Sequence, residues 1–162
     1  DLNKKIFKTE SSLLKMYNKK KNIFYSYDLK NKFFINIPSI SNYFILFADL
    51  NDKKVNKRII ESLKGYNQKE KYIFSSIKPD HKSFDEKRYW RGPVWINTNW
   101  IIYQSLKNKD KVYAKKIKDK TIKLIEEKNF FEYYSCKNAE TLGANNFSWS
   151  SALYLDLIYE SN

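Results

Sequence analysis

Two segments of this sequence are apolar around most of their helical circumference, whereas the segment between them is not. The first covers residues 93 to about 107 and the second residues 148 to 159, and both carry aromatic and aliphatic side chains on several faces. Between them, from about residue 110 to 127, apolar residues form a single stripe and lysines fill the other faces. Because a helix that is apolar on all sides must be buried, the pattern predicts an all-α fold in which inner and outer helices alternate.

The sequence pattern of the N-terminal half predicts three further helices and one extended segment. A surface helix with a lysine-rich outer face comes first, and a short apolar helix lies in the middle. A third helix is capped by Asn51 or Asp52 and closed by Gly65. Aromatic and β-branched residues ahead of Pro38 favour an extended conformation. The predicted segments are 2–20 (helix), 22–37 (extended), 40–50 (helix), 51–63 (helix) and 66–79 (polar connection).

Residues 88–97, RYWRGPVWIN, concentrate groups suited to ligand recognition. Pro93 is favourable in the first turn of a helix and Gly92 permits a bend before it, so the sequence predicts a loop that leads into a helix N-terminus. The two tryptophans of the stretch offer apolar faces, and its second arginine offers a fork of hydrogen-bond donors. A packed aromatic loop without a ligand explains these ten residues equally well.

The net charge of +13 arises from 31 Lys and Arg against 18 Asp and Glu, which raises the question of nucleic-acid or membrane binding. Nearly all of the surplus is lysine spread along the chain, which indicates a compositional bias, so no specific nucleic acid and no membrane are predicted as partners. The single cysteine, Cys136, excludes an internal disulfide, and no apolar run reaches the roughly 20 residues of a membrane span. These features favour a cytoplasmic protein.

Three motifs in order resemble the C-terminal part of the catalytic domain of glycoside hydrolase family 63, a family that includes processing α-glucosidase and mannosylglycerate hydrolase and is related to the trehalases. The motifs are RYWRGPVWIN, FFEYYS at 130–135 and FSWSSALYLDLI at 147–158, preceded by FYSYDL at 24–29 and FSSIKPD at 74–80. The resemblance implies the C-terminal portion of an (α/α)6 toroid. Because that fold needs several hundred residues, residues 1–162 are expected to form a single partial domain, with the N-terminal part of the same catalytic domain as its partner.

The resemblance also implies an inverting exo-α-glycosidase that hydrolyses an α-glucoside or α-mannoside such as mannosylglycerate, glucosylglycerate or an oligosaccharide. Inversion needs one carboxylic acid that protonates the leaving oxygen and one carboxylate that activates water on the opposite side of the sugar. Glu132 matches the family's general base, although a surface glutamate alternating with buried aromatic residues gives the same local pattern. The general acid stays unassigned, since in the family it is an aspartate upstream of this chain.

A small carbohydrate is therefore the expected ligand, with no cofactor and no metal. Asn97 is a weaker candidate for sugar binding that equally fits a capping or packing role. With one histidine, His81, the sequence offers no cluster suited to a protein-bound zinc. Asp28 equally fits a structural aspartate in a turn. The residues expected to bind the sugar are Tyr89, Trp90, Arg91, Trp95, Trp149 and Asp28.

Two other classes of function remain open from the sequence. A non-catalytic basic module would bind nucleic acid through its lysines and stack bases on tyrosine and tryptophan. A degenerate relative of the enzyme would bind carbohydrate without hydrolysing it. The aromatic residues concentrate in the three motifs and not among the lysine runs, which favours a sugar site.

Overall fold

The structure, a computed structural model, describes residues 1–66 and 72–160. Within these residues the α-helices are α1 (Leu2–Leu14), α2 (Lys53–Tyr66), α3 (Ile96–Leu106), α4 (Lys111–Lys128) and α5 (Ser148–Tyr159), and 3₁₀ helices span Ile40–Ala48 and Tyr89–Arg91. The strands are β1 (Tyr17–Asn18), β2 (Ile23–Phe24), β3 (Ser26–Asp28), β4 (Phe33–Ile35), β5 (Phe131–Tyr134) and β6 (Thr141–Asn145). They pair as antiparallel hairpins, β1 with β2, β3 with β4 and β5 with β6. The described chain is mainly helical, as predicted, with short hairpins added to the expected all-α arrangement.

Helix α3 lies at the centre of the packing, between the 3₁₀ helix Ile40–Ala48 and helices α4 and α5. It buries seven of its 11 residues, whereas α4 buries five of its 18 residues along one stripe. Lysines occupy much of the remaining surface of α4. The predicted arrangement of an inner α3 beside an outer α4 is therefore confirmed.

The predicted burial of the last helix is wrong for this chain. Helix α5 buries only Ser150 and Leu157. It packs on α3, α4 and β5, but large apolar side chains on the rest of its surface stay exposed. An apolar helix surface shows what a helix is able to bury and not whether a neighbour is present. The exposed large apolar side chains of α5 are Trp149, Leu155, Ile158 and Tyr159.

Two element boundaries also differ from the prediction. Helix α1 ends at Leu14 instead of continuing to about residue 20, because β1 turns back to pair with β2. Helix α2 continues through Gly65 to the buried Tyr66, whose hydroxyl donates to the Ser75 carbonyl at 3.1 Å. The extended conformation predicted for residues 22–37 is found in β2, β3 and β4. Residues 67–71 of the predicted polar connection lie outside the described residues.

Helix α3 begins at Ile96 and not at Pro93 as the sequence suggests. Val94 is extended and pairs with Tyr134 of β5: its N–H donates to the Tyr134 carbonyl at 2.8 Å, and the Tyr134 N–H donates to the Val94 carbonyl at 3.0 Å. This pairing satisfies buried backbone groups that a helix starting at Pro93 would leave open. It also places the RYWRGPVWIN stretch directly beside β5.

Candidate active site

The β5–β6 hairpin contains a β-bulge opposite Glu132. The register shifts between Phe131 and Tyr133, so that Glu132 faces two residues of β6, Gly143 and Ala144. Gly143 has a φ of 73°, in the left-handed region that glycine adopts without steric penalty. A bulge interrupts the ladder of backbone hydrogen bonds and re-aims nearby side chains. The local fold therefore frees a backbone N–H at the position where the predicted catalytic residue lies.

The bulge holds the Glu132 carboxylate in place. Its Oε2 atom accepts a hydrogen bond from the Ala144 N–H at 3.1 Å, and the Tyr89 hydroxyl donates a second one. Partial burial and the bond to this carboxylate raise the pKa of Tyr89, so its hydroxyl remains a donor at neutral pH. Glu132 is half-buried and oriented by two donors. It is therefore not the freely solvated glutamate of the alternative interpretation.

Four aromatic rings pack beside this carboxylate. Trp90 stacks on Trp95 with ring centroids 3.9 Å apart and planes inclined by 12°, and Trp95 stacks on Tyr133 at 4.8 Å. Tyr89 meets all three rings edge-on. The cluster joins the RYWRGPVWIN stretch to β5, and the ring that binds Glu132 also contacts the other three.

Only part of the ring cluster is open to a ligand. Trp90 and Tyr89 are 43% and 48% exposed, whereas Trp95 is 2% exposed. The Trp95 indole N–H donates to the Tyr89 carbonyl at 3.1 Å, which fixes the ring beneath its neighbours. The sequence suggests that both tryptophans offer a face to a sugar. The structure leaves an accessible face on Trp90, and Trp95 supports it.

The backbone around Arg91 is strained and closely packed. Tyr89 has a φ of 35°, in the left-handed region that costs a non-glycine residue about 1–2 kcal/mol. Strain of this kind persists only where the surroundings enforce it, and it is concentrated at functional sites. The Arg91 Nε atom donates to the Ser83 carbonyl at 3.1 Å. A Cβ atom on Gly92 would lie 2.1 Å from the Asp85 carbonyl oxygen, so the bend tolerates only glycine.

Two ion pairs connect this segment to the turn that follows β5. Glu86 pairs with Lys137 at 2.8 Å, and Lys87 pairs with Glu140 at 2.7 Å. The Ser135 hydroxyl also donates to the Glu86 carboxylate. The hydrogen bond from Lys137, followed by that from Ser135, lowers the pKa of Glu86. These contacts hold the two chain segments of the candidate site together.

The lowered pKa of Glu86 predicts a pH-dependent contribution to stability. A carboxylate whose pKa is lower in the folded state stabilises the protein above its unfolded pKa, and that contribution disappears as the pH falls through the folded pKa. We expect Glu86→Gln to lower the free energy of unfolding by about 0.2–1 kcal/mol at pH 7, and the difference from the wild type to vanish in acid. Urea unfolding at neutral and acidic pH measures it, with the exposed Glu61→Gln as control. A difference that persists in acid would contradict the ion-pair explanation.

Asp28 is the last residue of β3, and its side chain binds the turn that leads to β4. Its Oδ1 atom accepts hydrogen bonds from the backbone N–H groups of Lys30 and Asn31, both at 2.9 Å. These bonds, with that from Asn31 the strongest, lower the pKa of Asp28. The structural use of a turn aspartate therefore accounts for its contacts.

Other carboxylates near the motif loops also have structural partners. Asp49 pairs with a lysine of the loop after α3. Asp80 pairs with Lys78, and Asp85 accepts a hydrogen bond from the Lys87 N–H. Within residues 1–66 and 72–160, no group of three or more His, Cys, Asp and Glu side chains is arranged to hold a metal ion. In the same ranges, no helix combines the length and the apolar character of a membrane span.

Trp149 lies in the first turn of α5 and is 54% exposed. Its ring contacts Phe147 with centroids 5.6 Å apart. The helix start is tied to β5, because the Ser150 hydroxyl donates to the Phe131 carbonyl at 2.6 Å. The start of α5, which carries Trp149, is thus anchored to the strand that carries Glu132. The Trp149 ring itself packs against Phe147.

Sequence reasoning did not identify Tyr133, Gly143 and Ala144 as parts of this site. Tyr133 completes the ring stack, and the other two residues form the bulge that holds the carboxylate. The sequence signal that could have pointed to them is Gly143, one of only three glycines in the chain, which follows Glu132 by 11 residues. Its meaning depends on the strand register, which the sequence alone does not give.

Comparisons with known proteins identify the family and the fold of this chain. A family model described as the mannosylglycerate hydrolase MGH1-like glycoside hydrolase domain matches residues 1–150. The mannosylglycerate hydrolase of Thermus thermophilus is 28% identical over 151 residues, which are 93% of this chain and 36% of that protein. The crystal structure of the family 63 mannosylglycerate hydrolase from Thermus thermophilus with Tris and D-glycerate has a TM-score of 0.84 at 28% identity, over 90% of this chain and 36% of that chain.

A more distant match concerns the fold alone. Neutral trehalase from Saccharomyces cerevisiae has a TM-score of 0.70 at 17% identity, over 94% of this chain and 29% of that chain. The chain spans about a third or less of the length of the curated relatives it matches, from 36% of the Thermus enzyme to 19% of the glucosylglycerate hydrolase of Mycolicibacterium hassiacum. Since the family model covers residues 1–150 of 162, the chain belongs to the MGH1-like glycoside hydrolase domain family.

Proposed function

We propose that this chain carries the general base and part of the sugar site of an inverting exo-α-glycosidase. The substrate is an α-mannoside or α-glucoside such as mannosylglycerate, glucosylglycerate or an oligosaccharide. The proposed site of reaction is the solvent-accessible surface at Glu132. Trp90 and Tyr89 are exposed there, and Glu132 is half-buried. The proposed location is cytoplasmic.

The observation that carries the proposal is the restraint of the Glu132 carboxylate beside the ring cluster. A general base must hold one orientation toward the water that it deprotonates. The Ala144 N–H and the Tyr89 hydroxyl provide that orientation by binding the carboxylate. An exposed indole face next to the base suits the C–H face of a pyranose, which would bring the anomeric carbon near the activated water.

The remaining predicted residues have supporting parts in this proposal. Tyr89 binds the base and borders the sugar, and Trp95 supports Trp90 from below. Arg91 is proposed to bind hydroxyl groups or a substrate carboxylate through its guanidinium. Trp149 and Asp28 are proposed to border the same opening at greater distance.

The general acid is proposed to come from outside these 162 residues. Asp28, Asp49, Asp80 and Asp85 already have structural partners, and none of them occurs in a motif of the family's acid. Residues 1–162 would then be the C-terminal portion of an (α/α)6 toroid, with inner helix α3 and outer helix α4 as part of its two layers. The exposed apolar face of α5 is consistent with a neighbouring helix in such a domain.

A non-catalytic basic module is the second candidate function. It would rely on dispersed lysines, but the exposed rings of the candidate site lie next to Glu132, whose negative charge repels phosphate. Binding to a polyanion column that withstands about 0.2 M salt would favour this second function, since many phosphate contacts give a steep salt dependence.

We expect the 162-residue chain to bind a glycoside but not to hydrolyse it. Hydrolysis needs the acid as well as the base, and loss of either typically costs about 10²–10⁴ in rate. An aryl α-mannoside and an aryl α-glucoside, monitored by release of the phenol, measure this directly. Rapid turnover by the purified chain would show that one of its own aspartates is the acid.

A further inference from the structure

The β3–β4 hairpin exposes large apolar side chains on both of its faces. Tyr27 and Phe34 are cross-strand partners whose rings meet edge-on, with centroids 5.1 Å apart. Because side chains alternate along a strand, Phe33 and Ile35 lie on the face opposite to Phe34. Within residues 1–66 and 72–160, no third strand joins this sheet. The exposed large apolar side chains of the hairpin and its turn are Tyr27, Leu29, Phe33, Phe34 and Ile35.

The turn of this hairpin combines an aliphatic side chain with two cations. Leu29, the first residue after β3, is 83% exposed. Lys30 and Lys32 are exposed in the same turn, and neither belongs to an ion pair of the described residues. The Asp28 carboxylate binds backbone N–H groups of the turn instead. The hairpin tip, residues 29–33, therefore presents exposed apolar side chains beside two lysines.

The chain around the hairpin tip is more basic than the chain as a whole. Residues 15–36, which include both N-terminal hairpins, contain six lysines and one acidic residue, a net charge of +5 in 22 residues. The whole chain carries +13 in 162 residues. A basic surface of this kind attracts anionic partners.

The exposed apolar side chains narrow the choice among anionic partners. A nucleic acid offers them a surface of phosphates and sugars, whereas a lipid bilayer offers an apolar phase beneath negative head groups. A protein partner needs a groove that encloses both faces of the hairpin. Fluid lipid, by contrast, surrounds an inserted tip on every side. Aliphatic and aromatic side chains next to lysines are the composition of segments that bind at the membrane interface.

We propose that the hairpin tip docks this protein reversibly on the surface of a membrane that contains anionic lipids. Leu29 and Phe33 enter the boundary between head groups and acyl chains, and Lys30 and Lys32 bind lipid phosphates. The even spread of lysines along the sequence gave no reason to expect a membrane, because it does not show that two of them lie beside exposed apolar side chains. This inference concerns a docking surface and not a membrane span, and it does not depend on the proposed function.

Co-sedimentation of the 162-residue chain with lipid vesicles tests the apolar part of the proposal. We expect Leu29→Ser to lower the partition of the chain onto vesicles of phosphatidylglycerol and phosphatidylcholine in equal parts by about tenfold or more. The matched control is Val112→Ser, because Val112 is 84% exposed on the lysine-rich helix α4 but lies outside the hairpin. It should bind these vesicles like the wild type. Since both side chains are exposed, both variants should fold, which circular dichroism checks.

The same assay tests the charged part of the proposal. Vesicles of phosphatidylcholine alone should bind the chain about tenfold less or weaker still, since they lack the negative charge that attracts lysine. The double variant Lys30→Gln with Lys32→Gln should lose a similar factor on the anionic vesicles. The double variant Lys53→Gln with Lys54→Gln removes the same charge from the exposed start of α2 and should lose much less.

Four results would overturn the proposal. The first is equal binding by the two serine variants, and the second is equal loss in the two lysine double variants, which would assign binding to net charge alone. The third is a dimer in gel filtration that Leu29→Ser dissociates while the vesicles bind nothing, which would assign the hairpin to a second copy of the chain. The fourth is a longer protein, with the N-terminal part of the domain attached, that no longer binds the vesicles.

Discussion

Replacement of Glu132 by glutamine is expected to lower the rate of glycoside hydrolysis by about 10²–10⁴-fold, the usual contribution of a general base. The assay requires these 162 residues joined to the segment that supplies the acid. Glutamine keeps the size of the side chain and still accepts the hydrogen bond from the Ala144 N–H, but it cannot take a proton from water. The loss should therefore appear in kcat, with little change in KM.

A matched control for this substitution is Glu127→Gln on the exposed face of α4, where the carboxylate pairs with Lys123 at 3.6 Å. It removes the same charge from an exposed ion pair of α4. We expect it to retain the wild-type rate. A Glu132→Gln variant with near-normal kcat would mean that another group activates the water.

Replacement of Gly143 by alanine is expected to displace the Glu132 carboxylate. The added Cβ atom would lie 2.6 Å from Glu132 Oε2 and 2.7 Å from a ring carbon of Tyr133, closer than such atoms approach. Alanine also resists the φ of 73°, at a cost of about 1–2 kcal/mol in folding stability. A misplacement of about 1 Å can reduce kcat by about 10²-fold, so we expect a large loss of rate in the acid-containing protein.

Gly65→Ala is the control for this prediction. Gly65 lies inside helix α2, and a Cβ atom there meets nothing within 4 Å. Alanine favours a helix interior over glycine by about 0.5–1 kcal/mol, so this variant should be more stable than the wild type and equally active. The thermal unfolding temperature should thus fall for Gly143→Ala and rise for Gly65→Ala, and kcat should fall only for Gly143→Ala. Equal behaviour of the two variants would exclude the bulge as the device that positions Glu132.

The sequence predicted the burial of the helices that pack on neighbours among the described residues, and it misjudged the burial of α5, which keeps exposed apolar side chains. The stripe of α4 and the all-round apolar surface of α3 matched their burial, because each packs on the other. Helix α5 has a similarly apolar surface, yet Trp149 and Leu155 are exposed. Periodicity measures what a helix is able to bury, and tertiary structure decides what it does bury.

For the candidate site, the sequence identified the chemical groups but not the contacts that hold them in place. Glu132, Tyr89 and Trp90 were named from motifs, and the structure brings them together. The burial of Trp95 and the support that Gly143 gives to Glu132 depend on two long-range pairings, Val94 with β5 and β5 with β6. Local pattern does not encode such registers, since a shift by one residue exchanges the faces of a strand.

Azide rescue of a Glu132→Ala variant tests the central claim most directly. Azide is a small anion that attacks the anomeric carbon without a general base, so it replaces the activated water while the separate acid still protonates the leaving group. In the acid-containing protein, the account predicts that azide restores turnover of an aryl α-glycoside and that NMR of the product shows a glycosyl azide of β configuration. No rescue by azide, or a product of α configuration, would contradict the assignment of Glu132 as the base of an inverting glycosidase.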